Sequence, residues 1–483
     1  MFIVMIVLFV LGYLAIALEH PLKIDKAVSA LAIGTLCWVA YAFGLFDILT
    51  NGFSPEFNEF VKHKEGLGDM SSAKSFLENI RNLSGEEKSE WIIIMREWLV
   101  DNQILRHLGE ISEILFFLLG AMTIVEVVDQ HEGFKVITDS IKTTRKIKLL
   151  WILSFLTFFL SAVLDNLTTT IVMIALLRKL INDKQTRWFF ASMVVLAANA
   201  GGAWSPIGDV TTIMLWIGGQ VTSTAIITRV FLPSLATLIV PLTIISFTMK
   251  GEVEKPKSTE SEKQFTSPAE RKLLLFLGVG GLLFVPVFKT ITHLPPYMGM
   301  LLSLSILWLV TEIIHRNKDH ESKSRLKIIY ILKQVELSTI FFFLGILSAV
   351  AALQSAGQLF KLSEFLNDNL ANVYLIDLAI GVLSAIVDNV PLVAGAMGMY
   401  PIEAAGAVGF AGNFVQDGIF WEFLAYTAGT GGSILIIGSA AGVAAMGLEK
   451  IDFIWYLKKI SLLAFSGYIA GAIVYYLQIQ VLM

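Results

Sequence analysis

Ser161-Ala162-Val163-Leu164-Asp165-Asn166 returns later in the chain as Ser384-Ala385-Ile386-Val387-Asp388-Asn389. Each copy sets an acid beside an amide in the middle of an apolar segment, 149–180 and 372–400. Two more echoes flank this pair. Leu115-Phe116-Phe117-Leu118-Leu119-Gly120 answers Ile340-Phe341-Phe342-Phe343-Leu344-Gly345. Gly201-Gly202-Ala203 through Ile207-Gly208-Asp209 answers Gly431-Gly432-Ser433 through Ile437-Gly438-Ser439. The three matches are collinear at a separation of about 225 residues, the mark of an internal repeat.

The surrounding composition says what solvent the repeat sits in. Of 483 residues, 55% are hydrophobic and 16% charged, too little charge to cover a soluble protein. Apolar segments recur at 2–18, 27–46, 108–128, 149–180, 186–217, 222–248, 273–290, 297–314, 337–356, 372–400, 413–447 and 452–480. A span needs about 20 such residues. Alternating strand-like segments are missing, which argues against a membrane barrel. A net charge of −4 gives no reason to expect a nucleic-acid partner. The single Cys37 excludes an internal disulfide, and the histidines show no metal-ligand spacing. No cofactor is expected. Ala15-Ile16-Ala17 resembles a signal-peptidase site, but no Lys or Arg precedes it, so a retained first helix is expected.

Loop charge orients the segments. Loop 129–149 carries Lys135, Lys142, Arg145, Lys146 and Lys148; loop 178–187 carries Arg178, Lys179, Lys184 and Arg187. Both are predicted cytoplasmic, so 149–180 must enter and return. Loops 249–272 and 315–333 are also basic, the latter through Arg316, Lys318, Lys323, Arg325, Lys327 and Lys333. Residues 218–224, 291–296 and 400–412 hold no Lys or Arg, and 357–371 only Lys361. Segment 372–400 therefore starts and ends outside. The expected fold is an all-α polytopic membrane protein with two inverted repeats, each holding a re-entrant helical hairpin and a broken transmembrane helix. Inverted repeats with broken helices point to a secondary transporter with its site near the midplane, not to an enzyme.

The expected organisation is two scaffold helices at 1–46, then a polar extracytoplasmic insertion at 47–107. Repeat one follows at 108–248, with hairpin 149–180 and broken helix 186–217. A cytoplasmic linker at 249–272 leads to repeat two at 273–483, with hairpin 372–400 and broken helix 413–447. The insertion is expected to form amphipathic helices, with Trp91 to Val100 on the membrane surface.

Ionisable groups inside the membrane are functional candidates. Asp165 and Asp388 lead, Asp209 follows, and Glu110 is a further candidate relay. A dehydrated cation such as Na+ needs several hard oxygens, as other hard cations do. Repeat one offers Ser161, Asp165, Asn166, Thr168, Asn199, Ser205, the carbonyl of Gly208, Thr211 and Thr212. Repeat two offers Ser384, Asp388, Asn389, Thr430 and Ser433. A partly dehydrated carboxylate holds a proton readily, and a bound cation expels it. Competition of this kind couples the two ions without covalent chemistry.

Ser161 through Thr170 and Asn199 through Thr212 resemble the NhaD-type sodium/proton antiporters. These are a branch of the superfamily that holds arsenite permeases and divalent-anion symporters. The resemblance spans roughly 105–483 and leaves 47–107 unmatched. It implies export of Na+ or Li+ for incoming H+ and alkaline pH homeostasis. It also implies an elevator motion, a homodimer, and a multi-pass place in a bacterial inner membrane. Sodium-coupled transport of a dicarboxylate or arsenite-like anion is the alternative, but that branch reads Ser-Asn-Thr at its hairpin tips, where this chain has acids. An intramembrane aspartyl protease is more remote: Pro206-Ile207-Gly208-Asp209 lacks the first Gly of that motif, and no Tyr precedes Asp165 or Asp388.

Overall fold

The computed structural model describes residues 1–138, 141, 143–254, 266–316, 326–370 and 372–482. The loop residues Lys142, Lys318, Lys323 and Arg325, and 255–265 of the basic loop 249–272, lie outside the described residues. Among the described residues helices carry the fold, and only two isolated β-bridges occur. A helix satisfies its own backbone groups, which lipid cannot do.

The first principal helices are α1 (Phe2–Ala17), α2 (Lys26–Phe43), α3 (Pro55–Lys64), α4 (Met70–Arg81), α5 (Gly85–Trp98) and α6 (Leu105–Gln130). Asp165 alone parts α7 (Lys146–Leu164) from α8 (Asn166–Leu180). Residues 204–209 part α9 (Lys184–Ala203) from α10 (Val210–Ile217). Then come α11 (Ser223–Thr248), α12 (Pro268–Thr292), α13 (Pro296–His315), α14 (Leu337–Ser355) and α15 (Gln358–Leu370). The turn 384–388 separates α16 (Val373–Leu383) from α17 (Asn389–Met399), and 432–439 separates α18 (Ile419–Gly431) from α19 (Ala440–Glu449). The last is α20 (Ser461–Leu482).

Eight of the described helical segments are long and apolar enough to cross a membrane. The chain is a polytopic, all-helical membrane protein. Lys146–Leu164 is itself one of the eight, so the expected return of 149–180 rests on loop charge. By contrast α16 and α17 have 11 residues each. Each rises only about 17 Å, well short of a hydrocarbon core of about 30 Å.

Some boundaries differ from the expected ones. The insertion 47–107 and the span from 108 share one continuous helical run, Gly85–Gln130. Leu99–Ile104 has neither Pro nor Gly, and the chain turns through a π-helical segment there without stopping. Within 91–100, Met95, Trp98 and Leu99 are buried against protein, while Ile93 and Val100 are exposed. The segment 413–447 opens with a 3-10 turn, and its helix starts at Ile419. The segment 452–480 is a short helix, Phe453–Lys459, followed by α20.

The described residues form two compact units. One gathers Met1–Leu115, Glu336–Asn372 and Ala394–Pro401. In it α2 packs on α1 and α14. Gly34 and Gly345 let the backbones of α2 and α14 meet: a Cβ on Gly34 would lie 2.5 Å from the Gly345 carbonyl oxygen, the small-residue packing common between membrane helices. Trp38 donates to Ser348 at 3.1 Å and Tyr41 to the Ser355 carbonyl at 3.1 Å. The insertion forms α3, α4 and α5, with Phe57, Leu77, Met95 and Trp98 buried.

The other unit gathers Phe116–Val335, Val373–Val393 and Ile402–Met483. Its centre is α9, buried on all sides from Phe190 to Ala203. Around it lie α7, α8, α11, α18 and α19. Helix α18 is equally enclosed from Phe420 to Gly431. The glycine pairs allow this: a Cβ on Gly201 would sit 2.1 Å from the Phe158 carbonyl oxygen, and one on Gly431 2.0 Å from that of Gly381.

Candidate cation site

Within the second unit the loops 204–209 and 432–439 put two broken helices beside the breaks at Asp165 and 384–388. Asp209 caps α10 and accepts from the Thr211 amide at 3.2 Å through Oδ1. Its Oδ2 accepts from Asn166 Nδ2 at 3.1 Å and from Asn389 Nδ2 at 3.3 Å. One carboxylate oxygen thus faces an asparagine from each repeated motif. An ionised carboxylate only accepts, so the amide nitrogens turn toward it. Asn166 Nδ2 also donates to Asn199 Oδ1 at 3.0 Å, and Asn199 Nδ2 donates to Ser433 and Ser439 hydroxyls at 2.9 Å each. Asn166, Asn199, Asp209, Asn389, Ser433 and Ser439 are all buried.

The two leading acids hold a different place. Asp165 is half-buried and caps α8, accepting from the Thr168 amide and hydroxyl at 2.8 Å each. Its φ is +75°, a region that non-glycine residues occupy at a cost of roughly 1–3 kcal/mol. It also borders a small cavity with Leu118, Met122, Ile207 and Met300. Asp388, half-buried, accepts from the Val390 amide at 3.2 Å.

Several hydroxyls secure backbone. Ser161 donates to the Ala198 carbonyl at 2.6 Å, and Ser384 to that of Ala428 at 2.9 Å, the same bond in both repeats. Ser205 donates to the Ala162 carbonyl and Thr430 to that of Tyr426. Thr212 completes the capping box of α10. Gly208 packs so closely on Gly202 and the Ser161 carbonyl that a side chain would clash at 2.8 Å. Thr211 differs: among the described residues its buried Oγ1 has no hydrogen-bond partner. Glu110 belongs to the first unit, where Arg106 meets it at 3.1 Å and His107 at 3.0 Å.

Three buried acids of this unit lie outside the candidates drawn from the sequence: Asp377 on α16, Glu422 on α18 and Glu449 at the end of α19. Each of the first two is a lone acid in an apolar segment, the signal that should have picked them out.

Buried acids and amides on interrupted helices, in a chain of this many spans, define a membrane transporter. The chain belongs to the citrate transporter family, CitMHS, whose profile matches residues 1–414. It is 51% identical over 369 residues to sodium/proton antiporter 1 of Arabidopsis thaliana, covering 76% of this chain and 62% of that protein. Sodium/proton antiporter 2 of the same plant is 49% identical over 370 residues, 76% and 85% of the two chains. The Na(+)/H(+) antiporter NhaD of Alkalimonas amylolytica is 32% identical over 417 residues, 80% and 81%. The likeness to NhaD-type proteins holds. The family match also begins at residue 1 and takes in 47–107, which the motifs left unmatched.

Proposed function

We propose that this chain exchanges cytoplasmic Na+ or Li+ for external H+ by alternating access. The observation that carries the reading is the Asp209 carboxylate, buried between the two motif asparagines. Beside it Thr211 Oγ1 lacks a partner among the described residues. Here the amide nitrogens of Asn166 and Asn389 donate to the carboxylate. An amide turned over presents its oxygen instead, so the same residues serve an incoming cation with Asp209, Thr211, Asn199 and the Gly208 carbonyl. Asp165 with Thr168, and Asp388, shape the helix breaks and add negative charge that draws a cation in. Ser161, Ser384, Ser205, Thr212, Thr430 and Ser433 hold the broken backbone open. Glu110 is kept as a relay candidate from the sequence.

The names of the sodium/proton antiporters among the relatives support this reading. The short helices α16 and α17 and the break at Asp165 support two hairpins in inverted repeats. An elevator motion, a homodimer, a role at alkaline pH and a place in a bacterial inner membrane belong to the same proposal. The family description favours a second reading, anion transport. Three acids in the site weigh against a tricarboxylate there.

Everted vesicles carrying a pH-sensitive dye test the proposal. Sodium should drive proton movement in wild type. Asp209→Asn should abolish it, a loss of at least about 100-fold, with the protein still in the membrane. Citrate uptake in wild type, with no response to Na+ or Li+, would sink the antiporter reading.

A further inference from the structure

We propose that Asp377 and Glu422 form a second proton-binding site, between the outer surface and the broken-helix site, through which external protons enter. The direction of flow rests on the exchange reading above; the proton site itself does not.

Asp377 lies in the middle of α16 and is fully buried. Among the described residues no group bonds to either of its carboxylate oxygens. Among the described residues it caps no helix and pairs with no cation. An ionised carboxylate so placed costs far more than a hydrogen-bonded one, so Asp377 holds a proton in this conformation. Such an acid subtracts from stability, and an apolar residue would serve the packing better.

Helix α16 packs on α18, which carries the second acid. Tyr374, one turn before Asp377, packs on Phe423 at 5.5 Å, and the Tyr468 hydroxyl donates to the Leu378 carbonyl at 3.1 Å. The Tyr475 hydroxyl donates to Glu422 Oε2 at 2.9 Å, and its ring stacks on Phe423 at 4.8 Å. Glu422 is also buried, five residues after Asp417 in the chain. Asp417 accepts from Thr222, in a region that loop charge assigns to the outside. Along α16, Asp377 stands between that outer end and the turn carrying Ser384 and Asp388. Tyrosine hydroxyls both donate and accept, as proton transfer between the acids requires.

The test uses the purified protein in proteoliposomes, measuring Na+/H+ antiport with a dye and proton-independent Na+/Na+ exchange with radioactive sodium. Asp377→Asn and Glu422→Gln should each cut antiport about tenfold or more, while Na+/Na+ exchange stays at the wild-type level. Asp377→Glu should restore antiport. Parallel loss of both activities, or retention of both, overturns the proposal. So does failure of Asp377→Asn to fold, because a carboxyl without a partner has no bond to lose. Infrared difference spectra across a pH step give a readout apart from transport. A protonated-carboxyl band should appear in wild type and vanish in Asp377→Asn, and its absence from wild type overturns the proton site. If wild type shows no antiport, the exchange reading fails and the infrared band still decides the site.

Discussion

Asp209 accepts from two side-chain amides, while Asp165 accepts from the threonine three residues on. Both are acids at broken helices, and their neighbours divide the work between them. Local sequence shows an Asp-Asn pair in each repeat, and the acid was read as the principal group. In the fold both asparagines donate to a third acid, while Asp165 and Asp388 accept from backbone amides at the helix breaks. Asn389 reaches Asp209 without capping a neighbour, so its removal isolates the pairing. Asn389→Ala should raise the KM for Na+ about tenfold, the equivalent of ~1.4 kcal/mol. Sodium-dependent dye response over a concentration series measures it. An unchanged KM would remove Asn389 from the site.

At the scale of elements, neighbouring ends of α8, α9 and α19 are tied by Glu449. Its side chain is 1% exposed and meets Arg178 Nε at 2.7 Å and Arg187 Nε at 2.8 Å. Trp188 also donates to its carbonyl. Removing one partner of a buried pair leaves charge uncompensated, which is costly. Because Arg178 is half exposed and water screens it, Glu449→Gln should cost about 2 kcal/mol, less than a fully buried pair. Thermal unfolding in detergent should show a Tm several degrees lower. Loop composition marks Arg178 and Arg187 as cytoplasmic but says nothing of Glu449, which lies more than two hundred residues away.

For the whole molecule, loop charge assigns residues 178–187 to the cytoplasm and 400–412 to the outside. Gln185 and Ala405 are exposed in those loops, and the sole cysteine, Cys37, is buried. On a Cys37→Ser background, an impermeant maleimide should label Ala405→Cys in intact cells and Gln185→Cys only in everted vesicles. Labelling of both from one side would refute the inverted arrangement. What the sequence alone determined was the solvent, the helical class, the repeat and the residues of the breaks. Those properties follow from composition and from motifs that sit within a few residues of one another. Only the tertiary structure decided which acid the asparagines serve, that Ser161 and Ser384 bind backbone, and that Asp377 lies buried with no hydrogen-bond partner among the described residues. Each of these depends on groups from helices far apart in the chain, and no local pattern encodes such a meeting.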